Sequence, residues 1–172
     1  AINLSSDNFN ENISNNSIVS TLSSTDSDPL DSHTYSLVSG SGDNDNSSFT
    51  IDGSSLKIKS SPNYENKSTY KIRIQSTDSY GNTYSEALTL SVNDINEAPT
   101  NWRVSSTSFN ENIASGSAVA TLSGVDEDSD DAHTFKFTSS ATNGPDNNKF
   151  SIEGNQLKIN ESPDYELKNT YT

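Results

Sequence analysis

Cysteine and methionine are both absent from this chain. Without thiols there is no disulfide framework, no zinc-thiolate centre and no cysteine nucleophile. A small β domain outside the cell then needs another staple, and a metal ion is the main one left. Apolar residues are scarce, at 28% of the sequence, and 10 basic residues face 24 acidic ones for a net charge of −14. That profile is shared with disordered chains, but here the apolar residues keep strand spacing. Such acidity repels phosphate backbones, and Lys and Arg form no run, so nucleic acid is not expected as a partner. No stretch approaches the roughly 18 apolar residues of a membrane span, and no signal peptide is visible. No membrane insertion is therefore expected in this segment, and residue 1 reads as the start of a mature protein or of an excerpt. The oxidation-resistant composition fits an extracellular or cell-surface setting.

What is present is said nearly twice. Phe9-Asn10-Glu11-Asn12-Ile13 returns as Phe109-Asn110-Glu111-Asn112-Ile113, and Asp26-x-Asp28 with His33-Thr34 returns as Asp126-x-Asp128 with His133-Thr134. After a one-residue insertion, Phe49-x-Ile51, Leu56-Lys57-Ile58 and Tyr64-Glu65 return as Phe150-x-Ile152, Leu157-Lys158-Ile159 and Tyr165-Glu166. A unit of about 100 residues is too long for a solenoid repeat and suits a β domain in tandem. The expected domains are 1–99 and 100–172, joined by Asn93-Asp94-Ile95-Asn96-Glu97-Ala98-Pro99-Thr100. This linker has no glycine and holds carboxylates and amides at close spacing, so it looks made to be stiffened.

Period-two alternation marks the strands. Tyr70, Ile72 and Ile74 alternate with Lys71, Arg73 and Gln75, and Leu88, Leu90 and Val92 alternate with polar residues. Tyr35/Leu37, Phe49/Ile51 and Leu56/Ile58 keep their parity in Phe135/Phe137, Phe150/Ile152 and Leu157/Ile159. The register should therefore survive between copies. No sustained 3.6-residue pattern appears. The expected fold is all-β: tandem antiparallel Greek-key sandwiches, with about seven strands per unit. Thr172 corresponds to Lys71, so the second copy lacks its last two strands. Either the chain is a window on a longer protein, or a neighbouring molecule donates those strands.

The acidic residues gather at strand ends. Glu11, Glu65, Asp94, Asn96 and Glu97 fall near one end of the first repeat, and Asp126 and Asp128 lie in a turn of the second at the end expected to face it. Like charges drawn together destabilise a fold unless a cation neutralises them. Oxygen ligands without His or Cys select Ca²⁺ over transition metals, with Mg²⁺ the lesser candidate because it prefers a small octahedral shell. Asp126-Glu127-Asp128-Ser129-Asp130 is not an EF-hand loop. It has no Gly at the sixth position, and Phe137 sits where the loop needs Glu.

Asn10-Glu11-Asn12, Asp26-x-Asp28, Pro62-x-Tyr64-Glu65, Thr77-Asp78-x-x-Gly81 and Asp94-Ile95-Asn96-Glu97-Ala98-Pro99 occur in the order of cadherin repeats. The chain resembles tandem bacterial-type cadherin domains over all of the first repeat and as much of the second as exists. The resemblance implies a seven-stranded Greek-key sandwich with Ca²⁺ between consecutive repeats. It implies Glu11, Glu65, Asp94, Asn96, Glu97, Asp126 and Asp128 as ligands at the junction, with Ile95 adding its backbone carbonyl. It further implies Asp26, Asp28 and Asp78 towards a preceding repeat, and Glu111, Asp164 and Glu166 towards a following one. Departures are Asn63 at a usual Asp, which Asp164 keeps in the second copy, a linker one residue short, and Ala98 at a usual Asn.

The leading expectation is a Ca²⁺-dependent structural or adhesive module of a large surface or secreted protein, stiffened into a rod at its repeat junctions. Its partners would be neighbouring repeats or subunits, other cells, or polysaccharide. The alternative is a polysaccharide- or partner-binding sandwich, although no exposed aromatic platform is evident from the strand pattern. An enzyme is not expected, since no motif sets a base beside a nucleophile. His33 and His133 are read as structural residues at strand starts. Trp102, the counterpart of Ile2, is expected to pack against the junction. The glycosylation patterns at Asn15, Asn46 and Asn66 are read as chance in a chain rich in Asn and Ser.

Overall fold

Alternating apolar side chains do become strands. The computed structural model describes residues 1–28, 31–138 and 144–172. The chain falls into two units, Ala1–Asn96 and Glu97–Thr172. In the first unit the strands are β1 (Ile2–Leu4), β2 (Asn8–Asn10), β3 (Ile18–Ser24), β4 (Thr34–Leu37), β5 (Phe49–Asp52), β6 (Ser55–Ile58), β7 (Thr69–Thr77) and β8 (Thr83–Asn93). They form two four-stranded sheets, in the orders β1-β3-β6-β5 and β2-β8-β7-β4.

Eight strands rather than seven result because the first strand is split between the sheets. The Ser6 hydroxyl donates to Asn8 O at 2.7 Å, and the Ser20 hydroxyl donates to Ser6 O at 2.8 Å, tying down the crossing. One pairing departs from the antiparallel expectation. Having crossed, β2 lies parallel to β8, with Phe9 opposite Val92. All other ladders in this unit are antiparallel.

The two sheets enclose one core in which Phe49, Leu56, Ile58, Ile72, Ile74 and Leu90 are fully buried. At its centre Phe9, Phe49 and Tyr70 stack in tilted and edge-on pairs, with ring centroids 5.3 to 6.4 Å apart. Such pairs add specificity beyond burial alone. Gly53, at φ 59°, starts the two-residue turn between β5 and β6, a backbone shape that favours glycine.

The second unit repeats half of this plan. β9 (Asn101–Val104), β10 (Ala118–Val125), β11 (Phe150–Glu153) and β12 (Gln156–Ile159) make one sheet in the order β11-β12-β10-β9. Phe150 pairs with Ile159 as Phe49 pairs with Ile58, so the register carries over between copies. The irregularity between Ala118 and Ala120 also matches that between Ile18 and Ser20. Phe109, Phe150 and Tyr171 rebuild the aromatic trio at 5.4 to 6.1 Å.

Residues 108–110 and 134–137 correspond to β2 and β4, yet they form no ladder, contrary to the strand expected at Phe135/Phe137. In the first unit the partners of these segments are β8 and β7, and 72–93 have no counterpart before Thr172.

Asn46 is one of the glycosylation patterns, and its side chain is spent internally. It donates to Val38 O at 2.9 Å and accepts from Arg73 N at 2.8 Å.

Candidate metal centre

The first candidate set is built where β2 ends. Asn12 takes a left-handed conformation (φ 59°), which Asn tolerates better than most residues, and this turn leaves Glu11 pointing inward. Only 2% of Glu11 is exposed. Its carboxylate accepts the backbone N–H of Tyr64 at 2.7 Å and that of Ile95 at 2.8 Å, one on each oxygen. The residue thus ties the turn after β6 to the segment leaving β8. Each oxygen keeps a second lone pair. Glu11, Glu65 and Asp94 each bring a carboxylate oxygen to within 4.8 Å of the others, and the last two are exposed.

The same construction recurs in the second unit. Asn112 has φ 58°, Glu111 accepts Tyr165 N at 3.0 Å, and Glu111, Asp164 and Glu166 gather within 4.8 Å. Here all three are exposed. Ile95, which donates its backbone N–H to Glu11, lies in a stretch with no counterpart among residues 100–172.

A further set lies elsewhere in the first unit. Asp26, Asp31 and Asp78 bring oxygens within 4.8 Å of one another. Asp28 stands outside this group, and sequence reasoning missed Asp31. A signal was available, since Asp31-x-His33 returns as Asp131-x-His133. Asp26 is held below its usual pKa, first by the backbone N–H of Asp28 and next by His33. Asp78 is lowered chiefly by the Asn82 side-chain amide, with the backbone N–H groups of Asn82 and Tyr80 adding to it.

In the second unit Asp126 accepts Asp128 N at 3.3 Å, and Asp128 accepts Glu97 N at 2.7 Å. Glu97 and Glu127 have carboxylate oxygens within 4.8 Å of each other. Glu127 was missed because its counterpart is Ser27, so repetition gave no cue. Asn96 and Ile95 lie in the same exposed linker, which continues from β8.

Both histidines hold aspartates. His33 meets Asp26, and His133 meets Asp126, each at 3.1 Å. The ring of His133 also fills the space over Gly124, where an added Cβ would lie 2.3 Å from the ring. Gly124→Ala should therefore displace the imidazole and cost about 1–3 kcal/mol, read as a lower urea midpoint for the second unit. An unchanged midpoint would show that the ring moves aside freely.

Trp102 is 61% exposed on β9, and Tyr80 and Tyr84 are also exposed, so the aromatics are less uniformly inward than the strand pattern suggests.

The fold is like that of the β-sandwich repeats of cadherin ectodomains. Solved structures similar to this one include human protocadherin-24 EC1-2, with a TM-score of 0.71 and 21% identity over 98% of this chain and 81% of that one. The human desmocollin-1 ectodomain gives a TM-score of 0.63 and 20% identity over 98% of this chain and 35% of that one. At these identities the likeness is one of fold. No protein-family profile matches the chain, and no curated protein matches it.

The donor chemistry fits a hard cation. Glu11, Glu65 and Asp94 offer carboxylate oxygen without sulfur or imidazole, and Glu11 is fixed in place by two backbone N–H groups.

Proposed function

We propose that this chain is a Ca²⁺-dependent structural and adhesive repeat module of a bacterial-type extracellular or cell-surface protein, with repeats at 1–99 and 100–172. The observation that carries the reading is the set Glu11, Glu65 and Asp94, in which a buried, pre-positioned carboxylate stands within 4.8 Å of two exposed ones. The ligands proposed at the junction are Glu11, Glu65, Asp94, Asn96, Glu97 and the Ile95 carbonyl, together with Asp126 and Asp128. Asp26, Asp28 and Asp78, with Asp31 beside them, and Glu111, Asp164 and Glu166, are proposed as equivalent sets towards neighbouring repeats or subunits.

Glu11 anchors the start of the linker through Ile95, and Asp128 anchors its end through Glu97. A bound Ca²⁺ would supply the positive charge that lets Glu65 and Asp94 stay beside Glu11. The acidic balance of the chain opposes that closeness in its absence. The fold shared with protocadherin-24 and desmocollin-1 ectodomains supports an adhesive, extracellular role.

Solution scattering at millimolar Ca²⁺ and again with chelator tests the stiffening. The radius of gyration and the melting temperature should both change on chelation. If neither changes, the reading fails.

A second reading, a polysaccharide- or partner-binding sandwich, draws on the exposure of Tyr80, Tyr84 and Trp102. Aromatic faces of this kind can stack on sugars. A glycan array with Ca²⁺ present separates the two readings.

A further inference from the structure

Two backbone N–H groups hold Glu11, but Glu65 sits in an exposed stretch between buried Pro62 and Tyr70. Within that stretch, 63–67 form one turn of helix. Lys67 N donates to Asn63 O at 3.0 Å, and Asn66 N donates to the Asn63 side chain at 2.7 Å. A lone turn has little stability of its own, because nucleating a helix is unfavourable. Its geometry depends on ties at its two ends.

At the front, Tyr64 N donates to Glu11 at 2.7 Å. At the back the tie is Lys67. Its ammonium meets Asp45 at 3.0 Å and lies 5.1 Å from the centroid of the Tyr70 ring. Asp45 is itself locked to β7. Its other carboxylate oxygen accepts Lys71 N at 2.7 Å, and its own N–H donates to Lys71 O at 2.9 Å. Tyr70 is 8% exposed and packs edge-on against Phe49. Lys67 thus fastens an exposed turn to β7 and the buried core.

The second unit repeats each part. Lys168 N donates to Asp164 O at 2.9 Å, and Leu167 N donates to the Asp164 side chain at 3.0 Å. Lys168 pairs with Asp146 and lies 5.1 Å from the centroid of the Tyr171 ring. Asp146 accepts Thr172 N at 2.9 Å and donates its own N–H to Thr172 O at 3.1 Å. Only 10 basic residues occur in the chain, yet two stand at this point, each two residues after a proposed ligand. Their charge does not account for the placement, since a positive charge beside a cation site opposes binding.

We infer that Lys67 is a positioning residue of the proposed metal centre: through Asp45 and Tyr70 it fixes the turn that carries Glu65, so that this carboxylate stands beside Glu11 and Asp94. Lys168 does the same for Glu166. The inference rests on the Ca²⁺ reading of the Glu11, Glu65 and Asp94 set. Positioning and bare charge predict opposite signs for Lys67→Met. Were Lys67 only a nearby positive charge, its removal would tighten Ca²⁺ binding. As a positioning residue, its loss weakens binding by about threefold to fivefold, the worth of a partly exposed ion pair with a cation–π contact.

Calorimetric titration of Ca²⁺ into the full chain and its variants reads that sign. Lys67→Arg should restore the parent affinity. Adding Asp45→Asn to Lys67→Met should weaken binding no further, since both substitutions remove one tie. A second readout needs no metal. In chelator, amide exchange at Tyr64 and Asn66 should quicken by about threefold or more in Lys67→Met, while Ile72 and Ile74 keep the parent protection. Equal or tighter Ca²⁺ binding by Lys67→Met, or unchanged exchange at Tyr64 and Asn66, overturns the inference and leaves the Ca²⁺ reading standing. A parent chain that takes up no Ca²⁺ overturns both.

Discussion

Glu11→Ala should lower the stability of the first unit by about 3–5 kcal/mol, while Glu111→Ala should cost under about 1 kcal/mol. The two residues hold equivalent places in the repeat, yet their surroundings differ. Glu11 is 2% exposed and accepts two backbone N–H groups, from Tyr64 and Ile95. Removing the carboxylate strips both donors of their acceptor at a place that water reaches poorly, and each donor then carries its own desolvation penalty. Glu111 is exposed and accepts from Tyr165. Water can replace it there. Amide exchange at Ile72 and Ile74, measured in chelator so that ion binding is removed from the comparison, reports the first unit. Equal small losses in the two variants would mean that the buried carboxylate is not a structural anchor.

The second large effect concerns the core. Leu56→Ala should cost about 3–5 kcal/mol, whereas Leu157→Ala should cost about 1 kcal/mol. Leu56 has no exposed surface and belongs to the core cluster that also holds Phe49 and the inward side chains of β7 and β8. Leu157 occupies the same register on β12 but lines the cavity. Truncation of Leu56 leaves a void that surrounding strands cannot close, while truncation of Leu157 enlarges a space that is already open. Denaturant unfolding, followed by amide exchange in each unit, separates the two. A Leu157→Ala loss as large as that of Leu56→Ala would show that the second unit has closed its core by other means.

The sequence carried most of the fold because the repeat gave the pattern of the first six strands twice. Leu56-x-Ile58 and Leu157-x-Ile159 could be read as the same inward face, and their ladders share a register. The split of the first strand was not legible. Ser6 and Ser20 hold that crossing through polar bonds that leave no apolar pattern. Nor was the missing ladder at 134–137, since Phe135 and Phe137 alternate as a strand should. Whether alternation becomes a ladder depends on partners elsewhere in the chain.

Within the candidate sites, Glu11, Glu65 and Asp94 could be placed together because strand order set their shared end. Asp31 was not legible as a neighbour of Asp26 and Asp78, since its spacing from them follows no strand pattern.

The central claim is that carboxylates at the ends of these sandwiches take Ca²⁺, and calorimetric titration tests it most directly. Titrating Ca²⁺ into the chelator-stripped chain and into Asp94→Ala isolates one proposed ligand whose side chain is exposed, with amide exchange at Ile72 and Ile74 confirming that the variant is folded. The account predicts saturable binding with a dissociation constant near ~10⁻⁴ M, weakened at least about tenfold in the variant by the loss of a charged ligand. A flat titration of the parent chain, or identical isotherms for the two, would contradict it.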